Sequence, residues 1–291
     1  MKAKKKIICC ADGISHSSGG AEKTIKVLLN SLSGEFDVQF IDSERLTEEF
    51  INDNMSKLWV FGNYYHLIQN ELIGVFARNE IDYVVVEFDY KFLPCRNIEL
   101  LKLATGEDFV YDEWSRSVDH FLSSAKVVFF MSQKQLRKHI DNLKELNEEK
   151  CVAINSCFED DFYNLIEQLR GTKKDIVVGI YGQKTPQKGA QNAIDYCHKN
   201  LIYNYVDIYG ENDYSSFLAN LSRCENLVFL PNGGDSCPRL IIEAKLLDVN
   251  VICNENVEHL GDEWWALDKD QMVRHLKSTP YFFKKKVIEA L

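Results

Sequence analysis

The feature that most constrains this chain is an alternation of β-like and helix-like stretches that runs from one end to the other. Lys6-Ile-Ile-Cys-Cys-Ala11 reads as a first strand, apolar on both faces, as strands buried in parallel sheets are. A helix follows from Ala21, with Ile25, Leu28, Leu29 and Leu32 on one stripe. Further strands are expected at 37–41, 57–61, 82–88, 126–131, 151–154, 175–180, 203–209, 226–230 and 249–253. Amphipathic stretches fall at 65–77, 133–147, 158–170, 187–199, 213–223 and 239–247, and a final helix around Tyr281–Ala290. Repeated crossovers of this kind specify an α/β fold, with helices on both faces of mostly parallel sheets. Arg170-Gly-Thr-Lys-Lys-Asp175 is polar and separates two groups that each open on an apolar strand. It divides the chain into an expected N-terminal domain at 1–170 and a C-terminal domain at 171–291. Each domain would carry its ligand loops at the carboxyl ends of its strands, and the facing crevices would form a cleft suited to two substrates.

Composition bounds the partners. With 44 acidic against 34 basic side chains the net charge is −10, and the only basic runs are Lys2–Lys6 and Lys284–Lys286. Nucleic-acid binding needs concentrated positive charge, so no nucleic-acid partner is expected. The first run reads as a lead-in to a strand. The second reads as the polar face of a terminal helix, with room for weak peripheral contact with anionic lipid. No apolar run approaches the roughly 20 residues needed to span a bilayer, so no transmembrane segment is expected. The start of the chain lacks a signal peptide's apolar core and cleavage site. Nine cysteines occur singly or as Cys9-Cys10, without C-x-x-C, which fits buried thiols in a reducing compartment and a cytoplasmic location. Neither Cys/His metal spacing nor a G-x-S-x-G elbow occurs, so no metal site is expected.

Four loops carry chemistry. In Phe229-Leu-Pro-Asn-Gly-Gly-Asp-Ser-Cys-Pro-Arg-Leu-Ile-Ile-Glu-Ala-Lys245, a strand ends near Leu230 and Gly233-Gly234 allow a tight turn or close approach to a ligand. Pro238 suits the first helical position with Cys237 as cap. The amides of Arg239 and Leu240 would then face an anion at the positive helix end. Arg239 itself opposes the helix field there, which calls for an anionic ligand or a nearby carboxylate. Asp235 precedes the helix, and Glu243, among apolar neighbours, must reach a partner or a cleft. The bland alternative is a capped helix with an incidental acid. In Gly179-Ile-Tyr-Gly-Gln-Lys-Thr-Pro-Gln-Lys-Gly-Ala190, Lys184 and Lys188 bracket a turn and could neutralise a diphosphate, or be ordinary solvated surface. This is not a Walker A loop. After the first strand, Gly19 and Gly20 could bring backbone close to a phosphate or form a plain turn, and G-x-G-x-x-G is absent. Finally, Val84-Val-Val-Glu-Phe-Asp-Tyr-Lys91 runs an apolar strand into Glu87, Asp89 and Lys91, which could contact substrate or pair with one another. His16 and His66 also fall in loops after strands.

Together these loops resemble the GT-B glycosyltransferases of the large retaining group (glycosyltransferase family 4-like) that includes sucrose and glycogen synthases and bacterial mannosyltransferases. Gly19-Gly20-Ala21-Glu22 is similar to that family's N-terminal glycine loop, Gly182-Gln183…Lys188-Gly189 to its G-R…K-G loop, and Tyr209-Gly210 to its next glycine turn. Asp235 through Glu243 resembles its E-x7-E motif, followed by Val249-Asn-Val-Ile252 where G-x-P-V is usual. Gln183 stands where the family has an arginine, and Asp235 where it has a glutamate. The family's N-terminal-domain histidine has no clear counterpart, Glu87 and Asp89 lying closest to that region.

The resemblance implies two Rossmann-like α/β/α domains facing across a cleft. It implies metal-independent transfer of a sugar from a nucleotide diphosphate sugar to an acceptor hydroxyl, with retention and no cofactor. Lys188 and Lys184, with the amides of Arg239 and Leu240, would stabilise the leaving diphosphate. Asp235 would contact the donor sugar and Glu243 the ribose. Gly19, Gly20, Gly182, Gln183 and Gly234 would line the donor site. His16, Glu87, Asp89 and Lys91 would lie on the acceptor side, where a glycan or other hydroxyl compound binds. Three other readings of the same residues are a catalytically inactive or regulatory nucleotide-binding protein, a nucleotide-sugar epimerase, and an unrelated two-domain small-molecule binder.

Overall fold

The computed structural model describes residues 4–14, 19–79, 81–183, 185–209 and 213–290. Among these, ten strands form two all-parallel sheets. Strands β1 (Lys5–Ala11), β2 (Phe36–Asp42), β3 (Leu58–Phe61), β4 (Tyr83–Glu87), β5 (Val127–Phe130) and β6 (Cys151–Ala153) lie in the order β2-β1-β3-β4-β5-β6. Strands β7 (Ile176–Ile180), β8 (Tyr205–Asp207), β9 (Cys224–Phe229) and β10 (Asn250–Cys253) lie in the order β10-β9-β7-β8. In both sheets the first strand pairs with the second on one side and the third on the other. The chain therefore changes direction of travel between β1 and β3, and again between β7 and β9. Loops splay apart at such switch points and leave a crevice at the carboxyl ends of the strands.

Alternation along β1 explains why both faces of the first sheet must be covered. Ile7, Cys9 and Ala11 point to one core, with Leu28 and Leu29 of the first helix (Gly20–Asn30). Ile8 and Cys10 point to the other, a cluster of Trp59, Phe61, Phe76, Tyr83 and Phe121 packed mostly edge to face at 4.8–5.7 Å between neighbouring rings, with Tyr83 stacked on Phe121 at 4.9 Å. In the second sheet Val178, Ile180 and Val228 meet Ala193 and Cys197 of the helix Ala190–Lys199. All nine cysteines are free thiols, six of them buried.

Three expected elements differ. The single helix at 65–77 is two short ones, Tyr65–Gln69 and Ile73–Arg78, because Glu71 takes a left-handed φ of 58° that breaks the i to i−4 ladder. The final helix is longer than expected, Lys269–Glu289, capped by Asp268 and carrying Pro280 internally. It buries Met272 and Leu276 in its first half; further on, Phe283 lies 4.7 Å from Phe129 of β5 and Lys284 pairs with Glu35 at 2.9 Å. The helix after β9 is Arg239–Leu246, with Pro238 in an extended conformation as its cap (ψ 122°), one residue later than expected.

Two glycines with positive φ separate conformational from steric need. Gly106 (φ 73°) ends the helix Ile98–Thr105 in open space, whereas a methyl on Gly189 (φ 63°) would overlap the Leu230 carbonyl oxygen. Gly106→Ala should cost only about 1 kcal/mol. Gly189→Ala should cost about 3 kcal/mol or more, since the 186–189 turn must lift off the end of β9. Urea denaturation of both variants checks the ordering; equal losses would mean that the contact with Leu230 is unimportant.

Candidate active site

The crevices of the two sheets face each other across one cleft of about 870 Å³. From the sequence-predicted set it gathers Gly19, Gly20, Asp89, Lys188, Asp235, Arg239, Leu240 and Glu243 on its walls. His16 and Lys184 lie outside the described residues. Gly182, Gln183, Gly234, Glu87 and Lys91 do not line the cleft, and for most of them the geometry gives the reason.

On the C-terminal side, Lys188 closes a 3-10 turn at Pro186–Lys188, and its ammonium meets the Asp235 carboxylate at 2.6 Å. Asp235 is itself held by its backbone, which forms a parallel bridge to Val257 with bonds to Asn256 and Glu258. About one turn into the helix Arg239–Leu246, Glu243 is buried, its Oε1 accepting from the Tyr214 hydroxyl at 2.6 Å and lying 3.6 Å from Arg239 Nε. Burial pushes the Glu243 carboxyl above its ordinary pKa, and Arg239 draws it back only partly. Arg239 occupies the first helical position, where its charge opposes the helix field. Its guanidinium is fixed by the Cys157 carbonyl, by the Phe158 ring 4.1 Å away and by Glu243. The two carboxylates expected to serve a donor are thus in place, each already holding a cation.

The backbones of Gly182 and Gly234 are engaged within the protein. The Gly182 amide donates to Asp207 at 3.0 Å, and a side chain there would collide with that carboxylate. The Gly234 amide donates to Glu99 at 3.0 Å, and its carbonyl accepts from Asn97 at 2.9 Å. The glycine pair at 233–234 therefore lets the loop after β9 seat on the N-terminal half, where Asn97 leaves no room for a side chain at 233. Ser236 extends the same seam by donating to the Phe88 carbonyl at 2.8 Å. Gln183 is half-buried beside this site without touching the cleft.

On the N-terminal side, Glu87 and Lys91 are fully buried behind the cleft wall, paired at 2.6 Å, with Tyr64 donating to Glu87 and Lys91 also reaching Asp89 at 2.9 Å. They are a structural pair and not a substrate contact, because a lysine carried to zero exposure must spend its charge on neighbouring carboxylates. Burial raises the Glu87 pKa despite Lys91. Asp89 faces the cleft, and there burial is outweighed by Lys91 and Arg96, which hold the carboxyl below the ordinary range. Arg96 donates to Asp89 through Nε at 2.8 Å and to Asn63 at 3.2 Å.

Arg96, Lys23 and Tyr214 line the cleft although the sequence reading passed over them. Lys23 stands on the first helix with its ammonium 4.1 Å from the centre of the Tyr214 ring. A cation just inside a helix that follows a glycine loop is a weak cue for Lys23; Tyr214 and Arg96 had no cue beyond residue type. Among the described residues no group of three or more His, Cys, Asp or Glu is placed to hold a metal ion, and no helix is long and apolar enough to cross a membrane.

The buried pair gives a direct test. Lys91→Met should cost about 3–5 kcal/mol in denaturant titration, because Glu87 and Asp89 would be left side by side without their shared cation. A loss under about 1 kcal/mol would mean that the pair is solvated and available to substrate.

No family model matches this chain, and no curated protein matches it. Solved structures do. Anabaena Alr3699/HepE in complex with UDP-glucose superposes with a TM-score of 0.60 at 13% identity, covering 98% of this chain and 94% of that one. The UDP-forming α,α-trehalose-phosphate synthase from Burkholderia vietnamiensis gives 0.53 at 9% identity over 99% and 94%. An α-glucosyltransferase in complex with UDP and a 13-mer DNA gives 0.50 at 11% identity over 99% and 94%. That last complex corrects the exclusion of nucleic acid drawn from net charge. A protein of this architecture carries DNA, and phosphate contacts depend on the local charge of one face, which a whole-chain total does not report. The fold is GT-B: two parallel-sheet α/β domains facing across a cleft.

Proposed function

We propose that this protein is a glycosyltransferase that moves a sugar from a nucleoside diphosphate donor to an acceptor hydroxyl, with retention, as in the family 4-like enzymes whose motifs it resembles. The observation that carries this is Glu243, a buried carboxylate facing a two-domain cleft from the helix after β9. Tyr214 and Arg239 both engage Oε1 of this carboxylate, and a carboxylate with its other oxygen still to be used is suited to accept hydroxyls of a ribose. The domain boundary is placed at 170/171, with the donor on the C-terminal domain and the acceptor on the N-terminal one. The structural neighbours in complex with UDP or UDP-glucose make UDP-sugars the first donors to test.

In the proposed reaction the bond between the anomeric carbon and the diphosphate oxygen breaks as the acceptor oxygen bonds to the same face of that carbon. The acceptor's proton passes to the departing phosphate oxygen. Lys188 and the first amides of the helix Arg239–Leu246 face the charge that develops on the diphosphate, and preorganised donors of this kind favour the transition state over the ground state. Asp235 lies within reach of the donor sugar and holds Lys188 in position until the phosphate arrives. Asp89 and Arg96 border the acceptor side. The closed Lys188–Asp235 pair also suits a nucleotide-binding protein without transferase activity; binding without turnover across an acceptor panel would favour that reading.

Asp235→Asn should lower turnover strongly while UDP binding survives, whereas Glu243→Gln should weaken free UDP by about 1–2 kcal/mol. Isothermal calorimetry with UDP and UDP-glucose separates the two, and a reversed pattern would exchange the roles. Because the Glu243 pKa is raised and the ribose needs the ionised form, UDP affinity should fall as pH drops through that raised value. The sign for folding is opposite: stability from this group is greatest when it is protonated and is lost as pH rises. The same pH dependence of UDP affinity in the parent and in Glu243→Gln would remove Glu243 from the binding site.

A further inference from the structure

Among the described residues, Lys23 is the cleft cation left without an ion-paired acid. Lys188 holds Asp235 at 2.6 Å, Arg239 lies 3.6 Å from Glu243, and Arg96 holds Asp89. Among the described residues no carboxylate forms an ion pair with Lys23, whose ammonium rests instead on the π face of Tyr214, 4.1 Å from the ring centre. The side chain is on the cleft wall, in the first helix of the N-terminal half, while Tyr214 belongs to the C-terminal half. Two further observations mark the position as unsatisfied. Lys23 follows closely on the uncapped N-terminus at Gly19–Gly20, where the helix field already repels a cation. Burial, with the Arg239 charge nearby, also pulls its pKa below the ordinary lysine value, against weaker support from Glu243 and Glu159. A positive charge exposed to a second cation and to a helix N-terminus gains most from an anion that all three can share.

We propose that Lys23 is a donor-binding residue supplied by the opposite half: it pairs with a phosphate of the nucleoside diphosphate seated on the C-terminal domain. This rests on the nucleotide-sugar reading above. The family-like loop has Gln183 where an arginine would supply positive charge, and Lys188 is engaged by Asp235. Lys23 supplies the missing charge from across the cleft. The diphosphate is then held from both walls, by Lys188 and the start of the helix Arg239–Leu246 on one and by Lys23 on the other. Donor binding thereby draws the two halves together, and the start of the first helix already lies beside the Arg239 stem at Gly20.

The test is calorimetric titration of the parent, Lys23→Met and Lys23→Arg with UDP, ADP and GDP at low and high salt. Methionine keeps an apolar stem against Tyr214 and removes only the charge. For whichever diphosphate the parent binds best, Lys23→Met should bind it about 10- to 100-fold more weakly. Its affinity should also depend less on salt, and Lys23→Arg should stay within about threefold of the parent. Unchanged affinity in Lys23→Met, or an equal loss in Lys23→Arg, overturns the assignment while leaving the nucleotide-sugar reading intact. A parent that binds none of the three diphosphates removes that reading, and the role of Lys23 with it.

Discussion

The cleft depends on how one loop is anchored. The segment after β9 is clamped to the N-terminal half through Gly234, whose amide goes to Glu99 and whose carbonyl takes Asn97. Behind it, buried Glu258 accepts from Tyr90 and from Lys138 at 2.6 Å, and Lys138 also pairs with Glu99. Charges carried this far from water are tolerated only because each has a partner, and removing one would strand the other. The clamp fixes the distance between the two sheets and therefore the width of the space in which Asp235, Glu243 and Lys188 face Asp89 and Lys23.

That anchoring explains why the glycine pair at 233–234 is a docking feature. A ligand could have been the reason for two adjacent glycines after a strand, and from the chain alone that reading is as good as any. The close approach turns out to come from Asn97 and Glu99, more than 130 positions away in sequence. Gly189 has the same character. It lies under the end of β9, where a methyl would overlap the Leu230 carbonyl, so it marks a place where backbone is pressed by its own chain, whereas Gly20 only approaches the Arg239 stem at ordinary contact distance.

The charges of the site form a graded series. Lys91 and Glu87 are sealed in the interior and hold up the wall. Lys188–Asp235 and Arg239–Glu243 sit at the cleft surface, paired but able to exchange a protein partner for a substrate. Lys23 rests on a ring face and, among the described residues, has no ion-paired carboxylate. Low dielectric makes each unmatched charge costly, so the position in this series decides which groups can still gain by meeting a ligand.

The sequence by itself determined the alternating fold class, the apolar strands and the helix starts, because periodicity and turn chemistry act over a few neighbouring residues. It also marked Lys188, Asp235, Arg239 and Glu243, which follow strand ends at fixed spacing, so that the local strand–loop–helix geometry alone sends them toward a crevice. Only the tertiary structure decided that Glu87 and Lys91 are buried together, that Gly182 and Gly234 serve internal contacts, and that Lys23, Arg96 and Tyr214 reach the cleft. Those outcomes depend on which distant segment arrives at each position, and the pairing of Lys23 with Tyr214 joins residues on different domains. The single helix expected at 65–77 failed for a related reason: its apolar period is helical, but Glu71 turns left-handed so that both short pieces can bury their apolar faces on the same sheet.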